Sequence, residues 1–257
     1  MCELFGLNSE NKVYMNDLLK EFFSHGNDHP NGWGLAFFYK DGVSLEKQPE
    51  NSCKSAYLKQ RLEAEIKTDK MMAHIRLATR GDMSWENSHP FVLRDNSGRA
   101  WTFMHNGTIF ECDALNRYVK TQKGSTDSER IILYIIDKVN EAQEREERSL
   151  SKAERFSLID QIICEITPEN KLNIVMFDGE LLYAHTNFKG SLHFLRYDKT
   201  VIISTQPLDE RSWKELPLNT LVAYENGVPA FKGTDHGHEF IATPEKMRLL
   251  FLDYACL

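Results

Sequence analysis

Cys2 and five short segments hold most of the residues that could do chemistry in this chain of 257 residues. The segments are richer in polar residues or glycine than the sequence around them. Each lies where a predicted strand ends or a predicted helix begins, which is where functional loops are usually mounted. They comprise residues 28–34, 73–81, 87–91, 105–108 and 124–129. We therefore take Cys2 and these segments as the candidates for a site.

Cys2 is a candidate nucleophile because of its position. A side chain this small at position 2 favours removal of Met1, which would leave Cys2 as the N-terminal residue. Its own α-amino group, with an ordinary pKa of ~8, could then act as the base for the thiol, and no separate histidine would be needed. On position alone, the simpler interpretation is a small residue that begins a strand.

Arg76 and Asp127 are charged residues at the ends of predicted elements. A guanidinium at the end of a strand is suited to bidentate capture of a carboxylate, although a structural ion pair is the alternative. Asp127 begins a predicted helix, where the helix dipole alone favours an acidic side chain. Residue type therefore permits a binding role at both positions without requiring one.

Asn106-Gly107 is, taken alone, typical of a hairpin turn. His89 and His105 are residues of a type that more often makes structural hydrogen bonds than catalyses a reaction. Trp33 is as consistent with a core aromatic as with a residue of a functional loop. None of the histidines forms a metal-binding spacing, so we expect no metal and no cofactor.

The elements that must position these residues are indicated by the hydrophobic pattern. Strands are predicted at residues 2–7, 34–39, 43–47, 71–76, 99–105, 172–177, 181–185, 192–197, 201–204 and 221–224. Helices are predicted from Asn16 as N-cap to Gly26, at 56–67, from Thr126 through 139, and at 152–166. Turns are expected at Asp41-Gly42, Asp178-Gly179 and Asn226-Gly227. Strands, then helices, then strands predict one α+β domain over residues 1–257, with two mainly antiparallel sheets.

Composition excludes several classes of protein. A net charge of −7 with interspersed charges argues against a nucleic-acid partner. No apolar run is long enough to cross a bilayer, and the N-terminus lacks the features of a signal peptide. The five cysteines are far apart and never form a C-x-x-C pair, which favours a reducing cytoplasm over a disulfide framework.

Cys2 followed by the five segments in this order resembles the class II glutamine amidotransferases, which belong to the N-terminal nucleophile (Ntn) hydrolases. The later segment 204–208 and Trp213 are similar to the short, stand-alone members that lack a fused synthase domain. The resemblance implies a four-layer α-β-β-α sandwich. It also implies that the substrate is glutamine or a γ-glutamyl small molecule.

The resemblance assigns substrate-binding roles to four residues. It implies that Arg76 holds the α-carboxylate of glutamine, with Thr79 nearby, and that Asp127 binds the α-ammonium group. His89 is expected to shape the pocket. An arginine and an aspartate placed for the two ends of an amino acid would make the pocket specific for a free α-amino acid head.

The resemblance also implies a catalytic mechanism. The Cys2 thiolate would attack the side-chain amide carbon, and the Asn106 side-chain amide and the Gly107 N–H would form the oxyanion hole. Such a donor typically contributes roughly 3–4 kcal/mol in the transition state. Ammonia or an amine would leave, and water would hydrolyse the thioester. His105 is expected to support the oxyanion loop, and residues 32–34 to lie near the nucleophile.

The fate of the ammonia stays open at this point. A separate synthase subunit could receive it, the enzyme could instead cleave γ-glutamyl bonds in a peptide or thiol metabolite, with or without a peptidase partner, or it could be a simple glutaminase. The oligomeric state, including a homo-oligomer, is equally open. If Met1 were retained, the blocked amine could not act as base, and a non-catalytic module that binds glutamine would be favoured.

Overall fold

Two antiparallel sheets face one another in the structure, a computed structural model that describes residues 2–40, 42–78, 81–246 and 248. In chain order the strands are β1 (Glu3–Tyr14), β2 (Trp33–Tyr39), β3 (Gly42–Gln48), β4 (Lys67–Ile75), β5 (Phe91–Arg94), β6 (Ala100–Thr108), β7 (Lys171–Phe177), β8 (Leu182–His185), β9 (His193–Tyr197), β10 (Thr200–Ser204), β11 (Lys214–Glu215), β12 (Thr220–Glu225) and β13 (Val228–Asp235). The helices are α1 (Asn16–Ser24), α2 (Ala56–Glu63), α3 (Asp113–Asn116), α4 (Asp127–Glu146) and α5 (Lys152–Ile166). Short 3₁₀ helices cover His25–Asn27, Ser52–Lys54 and Arg117–Lys120.

The strand order places β1 in the middle of the first sheet. Within the described residues this sheet has the order β11-β9-β10-β1-β4-β2-β3, and the second has the order β13-β12-β8-β7-β6-β5. β1 pairs antiparallel with β10 on one side and with β4 on the other. The N-terminal strand is therefore bonded along both edges, unlike the terminal segment of many domains.

Three hydrophobic layers hold the sandwich together. One lies between α1, α2 and the outer face of the first sheet, and includes Phe22 and Leu58. A second lies between the two sheets and includes Leu4 and Val175. A third lies between the second sheet and the helices α4 and α5, and includes Ile135. Helix, sheet, sheet and helix thus form four layers, as the resemblance implied.

Most of the predicted elements are confirmed, with α5 found at the predicted residues. Three strands were missed, namely the two-residue β11 at the edge of the first sheet and two longer strands of the second sheet. The polar segment between the fourth and sixth strands contains β5, and the chain after the Asn226-Gly227 turn continues as β13. Both are edge strands of the second sheet with exposed positions, so their apolar alternation is weak. The predicted turn at Asp41-Gly42 falls partly outside the described residues, because Asp41 is not among them.

The predicted boundaries of two helices were wrong. Met15, not Asn16, is the N-cap of α1, and the helix ends at Ser24 rather than at Gly26. The Asn16 side chain instead bonds the segment at the end of α2 and beyond it. Its amide donates to the Leu62 carbonyl over 2.9 Å, and its oxygen accepts the Ile66 N–H over 2.8 Å. α2 itself ends at Glu63 instead of continuing to residue 67.

No described helix is both long and apolar enough to span a membrane.

Gly34 on β2 marks a close approach between the first sheet and the segment that enters β5. A Cβ at this position would lie 2.1 Å from the main-chain oxygen of His89 and 2.8 Å from Cδ of Pro90. Gly6 on β1 is less constrained, since its Cβ would lie 2.9 Å from the Cγ1 methyl of Val175. A methyl group of a side chain can move more easily than a backbone carbonyl.

The two glycines give a matched pair of variants. We expect Gly34→Ala to lower the free energy of unfolding by about 3 kcal/mol, and Gly6→Ala by only about 1 kcal/mol, because overpacking against backbone forces larger shifts. Urea unfolding would measure both values, with the midpoint changing and the m-value constant. Equal losses in the two variants would contradict the close approach at Gly34.

Candidate active site

Cys2 lies beside Arg76 at one end of the first sheet. Glu3, the first residue of β1, pairs with Ile75, the last residue of β4, so the residues just outside these strands are neighbours. The Cys2 Sγ is 3.4 Å from the main-chain oxygen of Leu77, to which it donates a hydrogen bond. The thiol therefore faces the segment that leaves β4.

A set of bonds to residues 205 and 206 fixes the start of β1. The Leu4 N–H donates to Thr205 Oγ1 over 2.7 Å, and the Thr205 N–H donates to the Leu4 carbonyl over 3.1 Å. The buried Glu3 carboxylate accepts from Gln206 Nε2 over 2.9 Å and contacts His25 Nδ1 at 2.8 Å. The motif at 204–208 thus holds the residues directly after Cys2, which explains its presence far along the chain.

Cys2 is partly buried, and this burial raises the pKa of its thiol. Nearby positive charges, including Arg76 and Lys171, oppose this effect without reversing it. Lys171 is itself buried, and burial lowers the pKa of its ammonium group to about 8. A thiol with a raised pKa is protonated at neutral pH, so it requires a base before it can attack a carbonyl.

Arg76 is buried, with 2% of its surface exposed, and supports the loop that leaves β4. Its guanidinium donates to the main-chain oxygen of Asp82 over 2.7 Å and to that of Gly81 over 2.9 Å. Two further backbone bonds join the end of β4 to Asn31 and Gly32, over 3.0 Å and 2.8 Å. Thr79, predicted to lie near the substrate, falls outside the described residues.

Asn87 joins the loop after Arg76 to the loop before α4. Its Nδ2 donates to the Asp82 carbonyl over 3.1 Å, and its Oδ1 accepts the Ser125 N–H over 2.7 Å. A Cβ at Gly124 would lie 2.2 Å from the Asn87 Oδ1, so the loops are in close contact. Asn87 lay inside a segment singled out from the sequence, but no role was predicted for it, because such a bridge depends on loops distant in sequence.

Asp127 is the first residue of α4 and is buried. Thr126 is the N-cap, as predicted, and its side chain accepts the N–H of Glu129 over 3.3 Å. The Asp127 carboxylate accepts the Ile109 N–H over 2.8 Å, which ties the helix start to the end of β6.

His105 joins β6, α4 and β7. Its Nδ1 is 3.0 Å from Ser128 Oγ, and its Nε2 is 3.2 Å from the main-chain oxygen of Lys171. Burial lowers the pKa of the ring, although the Asp127 charge opposes the shift. These contacts are those of a residue that supports the strand carrying Asn106.

Asn106 and Gly107 lie within β6, opposite Asn173 and Leu172 of β7, and do not form a hairpin turn. The Asn106 side chain is buried, and its Oδ1 has no hydrogen-bond partner among the described residues. A Cβ at Gly107 would lie 1.9 Å from the main-chain oxygen of Lys171, so only glycine fits here. Asn-Gly occurs in this strand because a side chain would collide with the neighbouring strand.

His89 is buried near the end of the segment that joins β4 to β5. It stacks on His74, with ring centroids 4.2 Å apart, and contacts Phe91 edge-on at 4.6 Å. Both histidines are buried, and burial holds the pKa of each well below its ordinary value. Each ring is therefore neutral at physiological pH. Packing of this kind fits the predicted pocket-shaping role of His89, which stays a prediction.

Trp33 is a core aromatic of β2, buried and stacked on Tyr57 with ring centroids 6.1 Å apart. Of the two interpretations left open by the sequence, the structure supports packing. Lys171 was missed altogether, because a lysine that begins an apolar strand usually lies at the surface. Nothing in the sequence marks it as buried beside a cysteine 169 positions earlier.

Comparisons with known proteins identify the family of the chain. Residues 1–199 match the family described as glutamine amidotransferases class-II. An uncharacterized protein of Methanocaldococcus jannaschii is 30% identical over 254 residues, which cover 88% of this chain and 70% of that protein.

Two solved structures share the fold. One, described as a predicted glutamine amidotransferase of Pseudomonas aeruginosa, is 19% identical with a TM-score of 0.61, over 89% of this chain and 99% of that one. The glutamine phosphoribosylpyrophosphate amidotransferase of B. subtilis is 12% identical with a TM-score of 0.65, over 89% of this chain and 48% of that one.

The two facing antiparallel sheets, their outer helices and a cysteine at the start of the central strand define an Ntn-hydrolase type of fold. The family match covers well over half of the sequence. The chain belongs to the class II glutamine amidotransferases, and it is similar to the stand-alone members of that family.

The contact between His25 and Glu3 makes the stability of the start of β1 depend on pH. The hydrogen bond to Glu3 raises the pKa of His25, with burial opposing the shift. A raised folded-state pKa contributes stability that is fully present below the unfolded pKa of ~6.5, and this stability is lost as pH rises through the folded value. We expect His25→Gln to be most destabilising near pH 6 and to approach wild type near pH 9. Thermal unfolding of both proteins across this range measures the difference, and a difference independent of pH would contradict the ion pair.

Proposed function

We propose that the chain is an amide hydrolase that uses Cys2 to cleave the side-chain amide of glutamine or the γ-amide bond of a γ-glutamyl compound. The observation that carries this proposal is the meeting of Cys2 and Arg76 at the ends of adjacent strands. Asn106 and Gly107 lie at the corresponding end of the facing sheet. A nucleophile, a carboxylate-binding cation and an oxyanion donor are the groups that such a reaction needs.

The first half of the reaction forms a thioester. After removal of Met1, the free amine of Cys2 takes the thiol proton, which the raised pKa of the thiol makes necessary. The thiolate attacks the amide carbon, and the negative charge that develops on oxygen is held by the Asn106 amide and the Gly107 N–H. The protonated amine then gives its proton to the departing nitrogen, so that the C–N bond breaks and ammonia or an amine leaves.

The second half regenerates the enzyme. Water loses a proton to the Cys2 amine and attacks the thioester carbon, and the C–S bond breaks to release the γ-carboxylate. Arg76 and Asp127 bind the α-carboxylate and the α-ammonium group throughout. Arg76 precedes one of the two loops that Asn87 joins, and Asp127 follows the other. This arrangement supports a pocket that recognises both ends of one amino acid head.

The test is intact-protein mass spectrometry before and after incubation with a diazo-oxo-norleucine. We expect a mass that lacks Met1 and a single adduct that maps to Cys2. Cys2→Ala should give no adduct, while Cys53→Ala, which removes an exposed cysteine, should label as wild type does. A retained Met1 without any adduct would contradict the proposal, and a non-catalytic module that binds glutamine would take its place.

Asn106 gives a quantitative test of the oxyanion hole. We expect Asn106→Ala to lower kcat for glutamine hydrolysis by about 10²–10³-fold with little change in KM, because the donor acts mainly on the transition state. Ammonia release under saturating glutamine measures kcat, and unfolding in urea checks that the variant is folded. A folded variant with wild-type kcat would exclude Asn106 from the oxyanion hole.

A further inference from the structure

A cavity of about 700 Å³ lies at the end of the sandwich opposite Cys2. It is lined by Lys70 near the start of β4, by Ala100 at the start of β6 and by Phe177 at the end of β7. The part of β6 from Ala100 to Asn106 spans about 20 Å at ~3.3 Å per residue. The cavity is therefore separate from the candidate active site, and its volume is within the roughly 300–1,000 Å³ of small-molecule sites.

The cavity is basic although the chain is acidic overall, with a net charge of −7. Its basic lining residues are Lys12, Lys40, Lys70, Arg94 and Arg99, and its acidic ones are Asp69 and Asp178. These basic side chains come from strands or turns of both sheets and converge on one opening. Such a concentration of charge attracts anions.

Part of this positive charge is not neutralised by the described protein. Lys12 and Lys40 make no ion pair with any described carboxylate, and Arg94 donates only to the main-chain oxygen of Gly98, over 2.7 Å. By contrast, Lys70 pairs with Asp69 at 2.9 Å, and Arg99 pairs with Glu180 at 3.1 Å.

Asp178 does not neutralise Lys12, Lys40 or Arg94, because its carboxylate already accepts hydrogen bonds from other groups. Its Oδ2 accepts from Arg155 Nε over 2.7 Å and from the Tyr183 hydroxyl over 2.8 Å. Its Oδ1 accepts the N–H groups of Glu180 and Leu181, over 2.9 Å and 2.8 Å. Lys12, Lys40 and Arg94 therefore keep capacity for an anionic group.

The wall of the cavity is aromatic. The rings of Phe38 and Phe177, one from each sheet, pack with centroids 4.4 Å apart. Tyr39 stands at the rim, with 63% of its surface exposed. An aromatic wall beside cationic side chains favours a ligand that has a planar, weakly polar part as well as a negative charge.

We propose that this cavity binds an organic phosphate with a planar ring, of the size of a nucleoside monophosphate. Lys12, Lys40 and Arg94 contact the phosphate, and Tyr39 with Phe38 contacts the ring. The guanidinium of Arg94 presents a fork of N–H donors that suits phosphate oxygens. This site is independent of the proposed glutamine chemistry at Cys2.

The experiment is isothermal titration calorimetry of the full chain with adenosine 5′-monophosphate, adenosine and inorganic phosphate. We expect the monophosphate to bind at least tenfold more tightly than either of the others, with an affinity that falls as salt is added. Lys12→Gln and Arg94→Gln should each weaken it by about tenfold, as the loss of one charge-assisted contact predicts. The side chain of Lys12 makes no hydrogen bond to a described residue, so the Lys12→Gln variant should fold normally.

Lys189→Gln is the matched control, because it removes an exposed positive charge from the loop after β8, at the end of the second sheet opposite Phe177. Its affinity for the monophosphate should equal that of the wild type. Absence of saturable binding at 10 mM ligand, on the order of the weakest binding worth assigning to a site, would overturn the proposal. So would an equal loss of affinity in the control, or equal binding of the monophosphate and inorganic phosphate.

Discussion

The pairing of β1 with β4 on one side and β10 on the other is the interaction on which the candidate active site depends. Cys2, the proposed nucleophile, directly precedes β1, so its position is set by that strand. Main-chain bonds on both edges of β1 hold that strand, and the Glu3 carboxylate and the bonds between Leu4 and Thr205 fix its first residues. A terminal strand at a sheet edge would fray and could not hold a thiol in place.

The same end of the sandwich is built from close backbone approaches. Gly34 meets the carbonyl of His89, and Gly107 meets the carbonyl of Lys171, at distances that leave no room for a Cβ. Asn87 then ties the loop after β4 to the loop before α4. Residues from five separate parts of the chain are thus held by backbone and amide contacts, which are more rigid than contacts between long side chains.

The two ends of the sandwich differ in how their positively charged side chains are placed. At the Cys2 end, buried cations lie close to a thiol whose pKa is raised by burial, and the pKa of Lys171 is lowered to about 8 for the same reason. Desolvation is the largest cause of both shifts. At the opposite end, Lys12, Lys40 and Arg94 are exposed, which suits the proposed binding of an anion.

Much of the architecture could be predicted from hydrophobic periodicity, because most strands of the two sheets bury an apolar face. α5 was placed correctly, and in the structure Ser151 and Glu154 form a capping box at its start. β5 and β13 were missed because edge strands carry exposed side chains and a weak pattern. Asn16 was assigned as an N-cap because its residue type favours that role, whereas the structure uses its side chain to bind a segment 46 to 50 residues away.

The sequence by itself determined the family, because the motifs stand in the order typical of it, and the resemblance then implied the four layers. It also supplied the candidate residues for a glutaminase site, whose roles stay predictions. Only the tertiary structure decided that Asn106-Gly107 lies in a strand, that Trp33 is packed in the core, and that Lys171 is buried within electrostatic reach of Cys2. These features arise from pairing between strands far apart in the chain. The burial of Trp33 and Lys171, the lowered pKa of Lys171 and the close backbone approach at Gly107 all depend on that pairing. The local sequence does not indicate which distant strands will pair.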